Sequence, residues 1–326
     1  MKALLCKAYG PPESLVVEEA PALRAPGAGE VKIAVHASGL NFADTLMIEG
    51  KYQEKPPFPF SPGLECAGVV TAVGEGVTDI DVGDRVMAMT GNGGMAEEAI
   101  ATAERTFRIP ATLTFEQAAG FPVTFGTAYY ALVDRARMKP GEVLLVHGAA
   151  GGVGSIAVEM GKVLGATVIA TAGSEEKLQL AKRLGADHAI NYTTNSVKEG
   201  VKALTREGAD VVFDAVGGDV FDQTLRCIAP DGRILVIGFA SGKIPSVPAN
   251  LLLVKNCAVI GVYWGGFTKR DPARNRQNFA TMLAWIGEGK LRAPIVTSYP
   301  LERAADAMKD LLSRKATGKL VVKTRA

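Results

Sequence analysis

Clustered cysteines are absent from this sequence, which holds only four cysteines in 326 residues. These are Cys6, Cys66, Cys227 and Cys257, which lie far apart and form no C-x-x-C pair. Their spacing fits neither a disulfide scaffold nor a structural zinc site. We interpret them as isolated buried thiols, the usual state of free cysteine in a reducing compartment.

Long apolar runs and an excess of one charge are also lacking. No stretch approaches the ~18 apolar residues of a membrane-spanning helix, and the N-terminal apolar run is too short for a signal peptide. With 36 Lys and Arg against 34 Asp and Glu, the formal net charge is only +2, and no basic stripe indicates a nucleic-acid surface. We expect a cytoplasmic protein with neither a membrane nor a nucleic acid as its main partner.

The first third of the chain predicts a β-rich domain. Apolar residues alternate with period two over 31–36, and another apolar run covers 65–73 before a glycine-rich break. Both patterns are typical of half-buried strands separated by turns.

The pattern changes near residue 140, where short apolar runs begin to alternate with helical or loop segments. Six runs are predicted as buried strands: 143–147, 167–171, 188–190, 209–213, 234–239 and 258–262. This alternation predicts an α/β fold with a parallel, doubly wound sheet.

The last part of the chain, after Trp264, has a third pattern. Residues 275–287 and 304–312 have helical patterning, and 319–323 predicts a closing strand. We interpret this tail as returning to the first domain, which gives a first domain of residues 1–121 completed by 263–326 and a second of residues 122–262.

A glycine loop, V-H-G-A-A-G-G-V-G-S at 146–155, follows one predicted strand and opens a helix. Gly151 and Gly154 take the second and third positions of G-x-G-x-x-G, whereas Ala149 stands at the first. Helix N–H groups there can meet a pyrophosphate if no side chain blocks its approach. Tight packing of strand against helix explains some such loops, but the βαβ context favours a dinucleotide cofactor.

The residues after the second strand favour NADPH over NADH. An NAD enzyme usually has an acidic residue there, but this strand leads into Gly173 and Ser174, with Lys177 following. A hydroxyl and a cation suit a 2′-phosphate, which a carboxylate would repel. Glu175 and Glu176 are expected to point to solvent from the first helical turn. The alternative for Lys177 is an ordinary exposed helix lysine.

Six motifs together resemble the zeta-crystallin-type quinone oxidoreductases of the medium-chain dehydrogenase/reductase superfamily. They are G-L-N-F-A-D at 39–44, P-G-L-E-C-A-G at 62–68, A-A-G-G-V-G at 149–154, A-G-S-E-E-K at 172–177, L-G-A-D-H-A-I-N-Y at 184–192 and T-G-K at 317–319. The likeness extends over nearly the whole chain. It implies a GroES-like domain built from both chain ends and a Rossmann domain.

The resemblance also implies roles for individual residues. The residues implied around NADPH are Thr127, Gly151, Gly152, Val153, Gly173, Ser174, Lys177, Tyr192, Gly238, Phe239 and Lys319. Ser174, Lys177 and Tyr192 would surround the 2′-phosphate, while Asn41 and Tyr52 would line the substrate site. The family commonly forms homodimers by pairing the edge strand of the Rossmann sheet, here 257–262, and an apolar edge strand needs a partner.

Zinc ligands are missing at the positions where the superfamily's alcohol dehydrogenases have them. Asn41 stands in place of a cysteine and Leu64 in place of a histidine, and no group of four cysteines follows Val86. Leucine cannot coordinate zinc and asparagine is a poor ligand. The sequence therefore predicts no metal site.

Without zinc there is no strong Lewis acid to activate an alcohol. Hydride transfer from NADPH to a quinone or another α,β-unsaturated carbonyl needs only positioning and modest polarisation. The Asn41 amide or the Tyr52 hydroxyl could donate to the developing oxyanion, although they could equally be a turn asparagine and a rim tyrosine. His36 and His147 are interpreted as packed, hydrogen-bonded side chains.

Two acidic residues near apolar stretches, Asp44 and Glu65, are interpreted as carboxylates bound to backbone or to an arginine. Four cations lie within 269–276. They indicate either a solvated helix start or a grip on the phosphates of an acyl-CoA, and the latter would make the chain an enoyl-CoA or acryloyl-CoA reductase. A third hypothesis is a non-catalytic NADPH-binding protein.

Overall fold

A computed structural model describes residues 1–325 and divides them into two compact units, 1–123 with 293–325 and 124–292. The strands are β1 Lys2–Leu5, β2 Val16–Glu19, β3 Glu30–Gly39, β4 Glu65–Val73, β5 Arg85–Met89, β6 Glu98–Thr102, β7 Thr106–Arg108, β8 Val143–His147, β9 Thr167–Ala172, β10 His188–Asn191, β11 Ala209–Asp214, β12 Ile228–Val236, β13 Ala258–Gly261, β14 Val296–Pro300 and β15 Lys319–Lys323. The helices are α1 Phe42–Ile48, α2 Phe115–Ala119, α3 Phe121–Tyr129, α4 Gly152–Val163, α5 Glu175–Arg183, α6 Val197–Leu204, α7 Gly218–Thr224, α8 Ala249–Lys255, α9 Trp264–Arg270, α10 Pro272–Gly287 and α11 Ala304–Leu312.

The first unit is built on a seven-stranded sheet in the order β14-β15-β3-β4-β5-β7, with β6 also paired to β3. Along β3, Val31, Ile33 and Val35 are fully buried and alternate with half-buried residues, as the period-two pattern predicted. β15 pairs antiparallel with β3. The C-terminal strand therefore joins the N-terminal part of the chain, as the sequence predicted.

The second unit contains a parallel six-stranded sheet in the order β10-β9-β8-β11-β12-β13. Chain order reverses at β8, so this is a doubly wound sheet of the dinucleotide-binding type. Its strands are buried on both faces; Leu145, Ile169 and Val212 are all 0% exposed, which explains their continuous apolar runs. The predicted fold class is confirmed.

The structure assigns residues 263–292 differently from the sequence analysis, which placed them in the first domain. They belong to the second unit, where Phe267 stacks on Tyr130 with ring centroids 4.3 Å apart. Arg274 pairs with Asp134 at 3.0 Å. The apolar face of a helix indicates that the helix packs against a core, but it does not identify which of the two cores that is.

The four thiols belong to cores, as expected. Cys6, Cys66 and Cys227 are buried and Cys257 is half-buried, and all four are free. Burial raises the pKa of Cys66 to about 12 and that of Cys227 to about 11, so these two are poor nucleophiles at neutral pH. Across residues 1–325, no helix is both long enough and apolar enough to cross a bilayer.

Candidate functional site

The main chain of the glycine loop between β8 and α4 packs closely against the first turn of the helix. Gly151 caps α4, with its N–H bonded to the Gly148 carbonyl at 2.9 Å, and Gly148 has a φ of +66°. A Cβ atom on Gly154 would lie only 2.2 Å from the Gly148 oxygen. The loop therefore accepts no side chain at Gly154, and the first-turn N–H groups of α4 have no partner within the helix.

His147, the last residue of β8, lies directly before this loop and is fully buried. Its Nδ1 is 2.9 Å from Thr171 Oγ1 and its Nε2 is 2.7 Å from Thr224 Oγ1. Thr224 Oγ1 donates to the Val220 carbonyl, so His147 Nε2 is the donor toward it. Desolvation lowers the pKa of His147. The predicted packed, hydrogen-bonded histidine is confirmed; His36 is also packed, stacked on Phe115.

The three residues implied around a 2′-phosphate, together with Gly173 of the wider cofactor set, come together at the ends of β9 and β10. Ser174 caps α5 by accepting from the Lys177 N–H at 3.4 Å, which places both at the same helix start. A Cβ on Gly173 would meet the Tyr192 ring at 3.2 Å. All four are half-buried.

Glu175 does not simply face solvent, although it is exposed. Its Oε1 accepts a hydrogen bond from Asn191 Nδ2 at 3.0 Å. Asn191 Oδ1 in turn accepts from the N–H and hydroxyl of Thr193, at 3.1 and 2.6 Å. Sequence reasoning missed this link, because Asn191 lay outside the predicted strand 188–190 and entered only as part of the motif at 184–192.

Three further residues implied around NADPH lie in the second unit, one on α3 and two after β12. Thr127 is a buried residue of α3. Gly238 and Phe239 follow β12, where the Gly238 N–H bonds to the Asp214 carbonyl at 3.4 Å.

In the first unit, Asn41, Glu65 and Lys319 form a closed buried network. Lys319 Nζ donates to Asn41 Oδ1 at 2.5 Å and to Glu65 Oε1 at 2.6 Å. Asn41 Nδ2 donates to the same Glu65 oxygen at 2.8 Å and to the Gly39 carbonyl at 3.4 Å. The three side chains are 8%, 0% and 4% exposed, respectively. Both amide hydrogens of Asn41 are therefore committed within the protein.

Glu65 also extends this network to α3, because its Oε2 accepts from the Val123 N–H at 2.7 Å. The prediction that Glu65 binds backbone or an arginine is confirmed for the backbone, but its cation is Lys319. Two of the three ammonium protons of Lys319 are held by these partners, which gives the lysine a structural role in the first unit; the cofactor contact implied by the resemblance stays a prediction.

Asp44 stabilises the turn around this network. Its carboxylate accepts from the N–H groups of Asn41, Gly63 and Leu64 at 2.8, 3.0 and 3.1 Å, as predicted for a backbone-bound carboxylate. Complete burial is the largest influence and raises its pKa to about 6, against the lowering effect of the Asn41 N–H.

Tyr52 lies in the same unit, half-buried against the core cluster that contains Leu40, Met47 and Phe60. Its backbone N–H bonds to the Leu46 carbonyl at 3.2 Å, which continues the turn after α1. Within residues 1–325, no group of three or more His, Cys, Asp or Glu side chains is arranged to hold a metal ion.

The cationic segment 269–276 spans the junction of α9 and α10. Asp271 caps α10 by accepting from the Arg274 N–H at 3.0 Å, and the Arg274 side chain pairs with Asp134. At least one of the four cations therefore has a structural partner.

The link between Glu65 and Lys319 was not predicted. The only signal in the sequence is that Lys319 directly precedes the apolar residues 320–322. Its partner, Glu65, is 254 residues away in the chain.

Comparison with known proteins identifies the family. The chain matches the alcohol dehydrogenase GroES-like domain family over residues 27–111 and the zinc-binding dehydrogenase family over residues 152–288. It is 44% identical over 328 residues to the quinone oxidoreductase-like protein 2 homolog of Nematostella vectensis, covering 99% of this chain and 89% of that protein.

Solved structures agree with this result. Quinone oxidoreductase from Pseudomonas syringae pv. Tomato DC3000 is 36% identical with a TM-score of 0.91, covering 99% of both chains. Escherichia coli quinone oxidoreductase complexed with NADPH is 31% identical with a TM-score of 0.91, covering 99% of this chain and 100% of that one. The chain is therefore an oxidoreductase that belongs to the quinone oxidoreductases of the medium-chain dehydrogenase/reductase superfamily.

Proposed function

We propose that this chain is a zinc-independent reductase that uses NADPH to reduce a quinone or another α,β-unsaturated carbonyl. The observation that carries the proposal is the start of α4, where Gly151, Gly152 and Val153 are half-buried and the buried Gly154 packs so closely on the loop that a Cβ would lie 2.2 Å from the Gly148 oxygen. The N–H groups of this first turn have no acceptor within the helix and suit a phosphate group. The NADPH found with the Escherichia coli relative supports this cofactor.

Different residues of this chain would bind the two phosphate-bearing parts of NADPH. Gly151, Gly152 and Val153 would bind the pyrophosphate through backbone N–H groups. Ser174 and Lys177 would bind the 2′-phosphate through a hydroxyl and an ammonium. When bound, NADPH supplies the hydride, and the protein fixes its orientation.

On the substrate side, Asn41 and Tyr52 have different tasks. Because both Asn41 amide hydrogens already have acceptors, we assign Asn41 to holding Glu65 and Lys319 in place. The Tyr52 hydroxyl is the candidate donor to a developing enolate or hydroquinone oxygen, a contribution worth roughly 10²–10³ in rate when preorganised.

We also propose a homodimer that pairs the edge strand β13. Next to this strand, Leu253 and Val254 are 82% and 77% exposed. An unpaired strand edge beside large exposed apolar side chains is the arrangement that a second copy covers.

The test is spectrophotometric NADPH oxidation with quinones, enones and enoyl-CoA thioesters, together with kcat/KM for NADPH and NADH. We expect turnover of quinones or enones and a clear preference for NADPH. Equal kcat/KM for the two nucleotides would contradict the cofactor assignment. A preference for enoyl-CoA that Arg270→Ala removes would favour the enoyl-CoA reductase, and binding without turnover would favour a non-catalytic role.

A further inference from the structure

We propose that Asn191 is a positioning residue for cofactor selectivity, because it holds the Glu175 carboxylate at the end of β10 and so keeps it from turning toward Ser174 and Lys177. The inference rests on the proposed NADPH function and names a residue of that site outside the set that would touch the cofactor. This role would explain how a chain with an acidic residue beside the 2′-phosphate site can still favour NADPH, whose 2′-phosphate is a dianion.

The orientation of the Asn191 amide is determined by its neighbours. Its Oδ1 accepts from both the N–H and the hydroxyl of Thr193, at 3.1 and 2.6 Å. A flipped amide would set Nδ2 against the Thr193 N–H, donor to donor. Nδ2 therefore faces Glu175 Oε1, 3.0 Å away.

The backbone keeps this amide at a fixed place. Asn191 pairs in register with Ala172 across β10 and β9, and the next N–H, that of Tyr192, bonds to the Ala172 carbonyl at 3.2 Å. The Asn191 side chain is 8% exposed. It is thus a buried donor fixed to the sheet, not a mobile surface group.

Glu175 is the first residue of α5, directly after the Ser174 cap. Its side chain is exposed, so without a partner it would sample several staggered rotamers. A carboxylate near the cap would repel a phosphate dianion and would accept hydrogen bonds from ribose hydroxyls, the arrangement that favours NADH. The hydrogen bond from Asn191 restrains the carboxylate to the conformation in which it faces the end of β10.

The experiment measures dissociation constants of NADPH and NADH by nicotinamide fluorescence, which does not require turnover. Asn191→Ala should weaken NADPH binding about fivefold, equal to one carboxylate–phosphate repulsion at the surface, and change NADH binding less than twofold. Adding Glu175→Gln should restore NADPH binding. Glu176→Gln, which changes the neighbouring exposed carboxylate, is the matched control and should have no effect.

Asn191→Ser is measured beside Asn191→Ala, since its hydroxyl can still pair with Thr193 and preserve the turn. Equal weakening of both nucleotides, or failure of Glu175→Gln to restore NADPH binding, overturns the inference and leaves the proposed function intact. If the unaltered protein binds NADH as tightly as NADPH, both the proposed cofactor preference and this inference are wrong.

Discussion

The ammonium of Lys319 lies 2.6 Å from Oε1 of Glu65, although 254 positions separate the two residues in the chain. Their side chains are 4% and 0% exposed. The pair ties the first residue of β15 to the first residue of β4, so it links a C-terminal strand to the N-terminal part of the first unit. Removing one partner of such a buried pair leaves an uncompensated charge.

Lys319→Met should therefore lower the free energy of unfolding by about 3–5 kcal/mol, measured by urea denaturation. Lys319→Met combined with Glu65→Gln should recover much of the loss, because no buried charge remains unpaired. Lys243→Met is the control, since Lys243 and its partner Asp219 are 64% and 83% exposed; this change should cost at most about 1 kcal/mol. Equal losses for the two lysine variants would show that burial adds nothing to the Lys319 pair.

Gly154→Ala should abolish nucleotide binding, because the new methyl group would displace the Gly148 carbonyl. Titration with NADPH would detect the loss. The matched control is Gly287→Ala at the exposed end of α10, where a Cβ meets nothing within 4 Å. That variant should bind normally and gain up to about 1 kcal/mol in stability. Normal NADPH affinity in Gly154→Ala would refute the assignment of the loop.

Asp44 should make stability depend on pH. Its pKa is raised from 3.8 to about 6 in the folded protein, so folding favours the protonated form. This contribution is fully present below pH 3.8 and is lost as the pH rises to about 6, which amounts to ~3 kcal/mol. Denaturation midpoints at several pH values should fall more steeply over this window in the unaltered protein than in Asp44→Asn, which does not titrate. Parallel curves would be incompatible with a raised pKa.

Lys177→Ala should raise KM for NADPH more than KM for NADH, because only NADPH carries the 2′-phosphate that an ammonium stabilises. We expect roughly a tenfold change for NADPH, the equivalent of one charge-assisted hydrogen bond. Lys182→Ala, later on the same helix, serves as the control. A change of the same size for both nucleotides would indicate a structural role for Lys177.

Introducing charge beside β13 should prevent self-association. The double variant Leu253→Glu, Val254→Glu should sediment as a monomer, because two carboxylates would be buried in the proposed interface. Val82→Glu, at another apolar residue that is 62% exposed, should leave the oligomeric state unchanged. A dimer that survives the double substitution would place the interface elsewhere.

Local pattern was sufficient to predict the strands of the parallel sheet, β3, β4 and β15, several helices, and the glycine loop. Each of three features depends on the pattern within about ten consecutive residues. They are the alternation along β3, the continuous apolar runs of the parallel sheet and the glycine loop. All of these agree with the structure. Helix α10 was predicted in part, over 275–287, and α9 was not predicted; both were placed with the first domain, whereas they belong to the second unit, since the partner of an amphipathic face is not encoded locally.

The sequence by itself determined the doubly wound sheet and the position of the glycine loop. Strand periodicity and the absence of a Cβ atom are properties of consecutive residues. Only the tertiary structure decided which polar and charged side chains meet. Lys319 with Glu65, and Asn191 with Glu175, depend on chain segments brought together by folding. Electrostatic and hydrogen-bond energies depend on distance and burial, and neither quantity exists until the chain has folded.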